Sequence, residues 1–137
     1  AEVPVSAPPL VPALAMLVSL AAATLVAFAP VLASLLAEQG TEKFDAGKPG
    51  QAAPLFEQSA LLVPSMETLT LQVISLEMAG REDEARDVLR EREQVWSTRM
   101  DGLLLAQELL GDDRELGPLI ERRMDQIASG RPVRDLT

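Results

Sequence analysis

The chain has no cysteine, no histidine and no tyrosine, and its aromatic side chains are three phenylalanines and one tryptophan. Without cysteine or histidine, the protein supplies no disulfide, zinc site, iron–sulfur cluster or covalently attached c-type haem. The commonest axial haem ligand and the commonest general base are missing too. Metalloenzyme chemistry and nucleophilic catalysis by Cys–His or Ser–His pairs are closed, and no cofactor or metal is expected. Lack of cysteine leaves the compartment open, because an oxidising compartment does not oblige a protein to carry disulfides.

Charge is missing from one long stretch. From Leu10 to Leu36 there is no Asp, Glu, Lys or Arg. A bilayer's hydrocarbon core takes about 20 apolar residues of helix, so this run is long enough to cross with some tilt. We expect a transmembrane helix over 10–37, preceded over 1–9 by an extended tail containing Pro4, Pro8 and Pro9. A cleavable secretory signal fits poorly, since it needs a basic start and an apolar core of about 7 to 15 residues. Here Glu2 is the only charge ahead of the run, and the small-x-small candidate Ala27-Phe28-Ala29 is followed by Pro30. A buried helix in a soluble domain also fits poorly, because 137 residues give too little core to surround it.

Along the run, Ala15, Ser19, Ala23 and Ala27 recur every fourth residue and so share a face. Small residues at that spacing let a second membrane helix approach closely. Pro12 falls in the first turn, whereas Pro30 removes an interior hydrogen bond and is expected to kink the helix.

All 12 basic residues and all but one of the 21 acidic ones follow this run. The remaining ~100 residues suit one small acidic domain. Nucleic acid is excluded as a partner, because phosphate binding wants a basic footprint. The clusters Arg90/Arg92 and Arg122/Arg123 are interleaved with acids. Lys43 and Lys48 follow the run and no basic residue precedes it, so the positive-inside rule puts the domain in the cytoplasm of a bacterial inner-membrane protein.

Periodicity of apolar residues places helices in the domain over Pro49–Val63, Met66–Ala79, Glu82 to about Arg99, Met100–Leu110 and Glu115–Ala128. The first presents Ala52, Leu55, Phe56, Ala60 and Val63. The second presents Leu69, Val73 and Leu76, and the third Ala85, Val88, Leu89, Val95 and Trp96. Short turns between them imply antiparallel hairpins, and no period-two strand pattern occurs. The fold class is all-α: one transmembrane helix, a helical-hairpin domain over 38–128 and a tail over 129–137.

An internal repeat runs through this domain. Gly47, Ala52 and Phe56 recur as Gly80, Ala85 and Leu89 at one constant offset. The first copy carries Gly40, Phe44, Gly47, Ala52, Phe56, Ser59 and Pro64 in order. This series resembles the tetratricopeptide repeat, a helix hairpin of about 34 residues with small residues where its helices cross. It departs from that pattern in lacking the early tryptophan, in Lys43 at the tyrosine position, in Pro54, and in a second copy without a closing proline. A third pair is degenerate, with Gly111 early and Leu116 in place of the small residue. The resemblance implies protein–protein interaction, with Gly40, Gly47, Ala52, Phe56, Pro64, Gly80, Ala85 and Leu89 as packing residues.

Residues that suggest chemistry have plainer roles. The pairs Glu82/Glu84, Glu91/Glu93 and Asp112/Asp113 are expected on solvated surfaces, with Asp113 as a helix N-cap. Gly47-Lys48-Pro49-Gly50 is too short for a phosphate-binding loop. The expected function is non-enzymatic: a membrane-anchored scaffold or accessory subunit of a respiratory or photosynthetic complex, contacting its other subunits and the lipid bilayer. The alternative is an anchored assembly factor or chaperone-like adaptor that binds client peptides.

Overall fold

Proline and glycine cut the chain into helices where their backbone chemistry requires it. The computed structural model describes residues 10–131. The tail expected over 1–9, and residues 132–137 of the tail expected over 129–137, lie outside the described residues. Among the described residues there are seven helices and no strand.

Helix α1 spans Leu10–Asp45, 36 residues or about 54 Å. It stays helical through Pro30 and continues well beyond residue 37. From Leu10 to Phe28 every residue is exposed. Further on, Ala29, Ala33, Leu36, Ala37, Gly40 and Phe44 are buried or half-buried at 3–4 spacing. One helix thus has a bare apolar half and a half covered along one face.

It ends at Gly47, whose φ of 72° is open to glycine at little cost. The Lys48 N–H donates to the Lys43 carbonyl (2.9 Å) and the Gly47 N–H to Phe44 (3.0 Å), closing a Schellman turn. Gly80, at φ 74°, closes the same turn by Arg81 to Leu76 (2.8 Å) and Gly80 to Glu77 (2.9 Å).

Helix α2 spans Pro49–Leu62, with Pro49 in the first turn where its missing donor costs nothing. Helix α3 spans Met66–Met78 and is capped by Ser65, whose Oγ accepts from the Thr68 N–H at 3.1 Å. Helix α4 spans Glu82–Glu91, α5 Glu93–Trp96, α6 Met100–Leu110 and α7 Leu116–Ala128. The acids Glu82, Asp83 and Glu84 open α4, where they complement the helix dipole.

The single helix expected from Glu82 to about Arg99 is broken at Arg92, which has φ −108° and ψ 26°. Beyond the break the Trp96 indole folds back, and its Nε1 donates to the Leu89 carbonyl at 2.7 Å. The start of α6 then presses against this corner. A Cβ on Gly102 would lie 2.5 Å from the Trp96 carbonyl oxygen.

Consecutive helices pack α1 on α2, α2 on α3 and α3 on α4, with α6 paired to α7 and touching α3 and α4. The main core gathers Leu69, Val73, Leu76, Leu89, Trp96, Leu103 and Leu110. One expectation about the apolar faces needs correcting. Val63 is exposed, because α2 ends there and the chain turns away at Pro64. Buried positions also include the polar Ser59, Thr68, Gln72 and Ser75.

Candidate functional site

Three surfaces invite a functional reading: the bare half of α1, the hairpin contacts and a groove where α1 meets the α2–α3 corner. Ala15, Ser19, Ala23 and Ala27 lie on the bare half and are exposed. Larger residues around them are equally uncovered, Leu10, Val11 and Met16 being 77–80% exposed. Among the described residues α1 is the one helix long and apolar enough to cross a membrane.

The repeat-type residues divide by position. Gly40, Ala52 and Phe56 come together between α1 and α2. A Cβ on Gly40 would stand 2.7 to 3.0 Å from the Phe56 ring, so the hydrogen there is what admits the ring. Ala52, Phe56, Ala85 and Leu89 have no exposed surface. Gly47 and Gly80 are exposed and shape turns, with nothing near a Cβ at either place. Pro64 is exposed at the α2–α3 corner. At the position matching Gly40 the second hairpin has Val73, and at the position matching Phe56 it has Leu89; both sit in the main core. The bulk that Phe56 supplies alone in the first pair is divided between Val73 and Leu89 in the second.

A hydrogen bond not anticipated from sequence fixes the register of α1 and α2. Ser59 Oγ donates to the Ala33 carbonyl at 2.7 Å in a buried setting. The signal for it was a serine on the apolar face of α2, one turn beyond Phe56.

The groove has a volume of about 610 Å³ and is bounded by α1, the end of α2 and the start of α3. Pro30, Ala33 and Val63 contribute apolar lining, and Glu38, Glu42 and Glu67 contribute carboxylates. Among the described residues no three His, Cys, Asp or Glu side chains are grouped to hold a metal ion.

The remaining charges do structural work. Arg90 donates to Asp87 (2.8 Å) and Asp113 (3.3 Å), and Arg86 reaches Glu82 and Asp112 (both 3.6 Å), tying α4 to the α6–α7 turn. Asp113 Oδ1 accepts from the N–H groups of Glu115 (2.9 Å) and Leu116 (3.0 Å), as expected of an N-cap. The Leu116 N–H bond first, then those from Glu115 and Arg90, hold its carboxyl below the usual aspartate range. Arg123 donates to the Ser97 carbonyl at 3.2 Å, joining α7 to the residue after α5. The Glu77 carboxyl is moved upward: burial raises it first, and repulsion from Glu108 and Glu82 adds to that.

No family model, curated protein or solved structure matches this chain.

Proposed function

We propose that the protein is a single-pass membrane protein whose helical domain acts as a non-enzymatic scaffold or accessory subunit of a larger membrane complex. The observation that carries this reading is α1 itself. Its bare half is apolar all round and exposed, a surface that in water would drive aggregation and in a bilayer is simply solvated. Its covered half is part of the α1–α2 hairpin, so the anchor and the domain share one rigid element.

The hairpin domain is tetratricopeptide-like in this reading. What supports it is the same glycine turn at Gly47 and Gly80, the fully buried alanine at Ala52 and Ala85, and the large apolar residue at Phe56 and Leu89. Such hairpins stack to offer surfaces to other proteins. The host complex is taken to be an energy-converting one in a bacterial inner membrane, with the domain on the cytoplasmic side. The acidic groove favours a second reading, an assembly factor that receives a basic client segment between Glu38, Glu42 and Glu67.

The stripe Ala15, Ser19, Ala23 and Ala27 is the face by which α1 packs on a helix of the complex. Replacing Ala23 and Ala27 together by Leu keeps the span hydrophobic and removes the close approach. The doubly substituted protein is expected to insert normally and to lose most of its co-purification with partner subunits in mild detergent. Full retention would reject that face.

A further inference from the structure

Outside α1, the large apolar side chains exposed among the described residues are few and unevenly placed. Leu61, Leu62 and Val63 are consecutive, 65%, 37% and 38% exposed, while Met78 and Leu104 stand alone on other elements. The three close α2 and lead into Pro64, and no charged residue occurs between Glu57 and Glu67.

Their height along α1 is set by the structure. Ser59 is tied to Ala33 by its 2.7 Å hydrogen bond, and α2 runs antiparallel to α1. One turn further, about 6 Å on, Val63 comes level with Pro30, and both line the same groove with Ala33. The corner therefore lies beside the uncharged stretch of α1, well before its first acid, Glu38. A hydrocarbon core of about 20 helical residues counted from Leu10 ends near Ala29. Moving that core along α1 toward Glu38 only sets the corner deeper. Glu67, exposed in the first turn of α3, limits the depth, because its charge must stay among headgroups or water.

We propose that the α2–α3 corner, Leu61-Leu62-Val63-Pro64, rests in the headgroup–acyl boundary of the bilayer that α1 crosses. It is a second lipid contact, continuous with the span, and it rests on the reading of α1 as a membrane helix. It fixes how the domain is rotated about α1, and with it the direction in which the acidic groove opens.

The cysteine-free sequence permits a direct test. Single nitroxide labels are placed by Leu61→Cys, Leu62→Cys, Leu17→Cys and Leu104→Cys in the full chain, reconstituted in phosphatidylcholine–phosphatidylglycerol vesicles. Collision with oxygen, which concentrates in lipid, is compared with collision with a water-soluble nickel chelate. At Leu61 and Leu62 the nickel collision rate should be several-fold below that at Leu104, with oxygen access shallower than at Leu17. Labels at both corner sites as open to nickel as Leu104, while Leu17 remains in lipid, would overturn the corner contact and leave the span intact. Shielding from both reagents at the corner marks cover by a second copy of the chain and also overturns it. Nickel access at Leu17 would refute the span, and the proposal with it.

Discussion

The α1–α2 and α3–α4 hairpins each turn on a left-handed glycine but fill their crossings differently. In the first, Gly40 contributes no side chain and Phe56 supplies the bulk. In the second, Val73 and Leu89 share it. The first is also pinned by a buried polar bond, Ser59 to Ala33, and is otherwise lined by small residues. The second opens into the core around Trp96, Leu103 and Leu110. The difference teaches that two hairpins can share a glycine turn and a buried alanine while distributing the bulk at their crossing differently between the two helices. It also shows why the first hairpin, whose outer helix continues into the apolar run, relies on close approach rather than on a large core.

The largest effect is expected where both hairpins have no space. Ala85 is fully buried, so Ala85→Trp should cost more than the ~1–3 kcal/mol of ordinary overpacking and abolish cooperative thermal unfolding. A variant that melts like the parent would show that α4 does not pack as described. Next is the exchange itself. Gly40→Val drives a side chain against the Phe56 ring and should cost about 1–3 kcal/mol, whereas adding Phe56→Leu reproduces the second hairpin's pair and should recover most of the loss. Additive losses would break the equivalence of the two crossings. Circular dichroism follows both hairpins, and Trp96 fluorescence follows the second core alone. With Gly40→Val the dichroism change should therefore begin at lower temperature than the fluorescence change.

Ser59→Ala should have a smaller effect, about 1 kcal/mol for a buried hydrogen bond, read as an earlier dichroism transition. No change would demote that bond to a consequence of packing. The smallest effect concerns acid. Because the Asp113 carboxyl is held below its ordinary value of 3.8, its stabilisation is present above that pH and is lost as pH falls through the lowered value. Asp113→Asn should be less stable than the parent near neutrality and show a flatter acid limb below about pH 4. An identical acid limb would remove Asp113 from the account.

The helices were readable because proline, glycine and capping residues mark their ends. Pro49 starts α2, Pro64 follows its end, Ser65 caps α3 and Gly80 stops it, all locally determined. The run from Leu10 was readable from lack of charge alone. Features decided by contacts distant in sequence were not. The break at Arg92 depends on an indole reaching back to Leu89, and no local breaker announces it. Gly111, the early glycine of the third pair, is right-handed at φ −61°, and the Asp113 carboxylate caps the start of α7; the left-handed glycine there is Gly130, after α7, with φ 67°. Polar residues at buried positions, Gln72 and Ser75, disguised how fully α3 is enclosed by α2, α4, α5 and α6. Of the candidate surfaces, the small-residue stripe was legible as a pattern. The exposed corner at Leu61–Val63 was not, since the same leucines and valine fit an apolar face until the chain's turn is known.

The central claim is that the protein is a permanent, membrane-anchored subunit. The measurement that bears on it most directly is mild-detergent purification of the tagged full-length protein from its native membrane, with quantitative protein identification and an absorbance spectrum of what accompanies it. The account predicts a fixed set of subunits at constant stoichiometry through successive columns, with the pigment or haem absorbance of the host complex. Recovery of the protein alone, or with many substoichiometric clients, would contradict it.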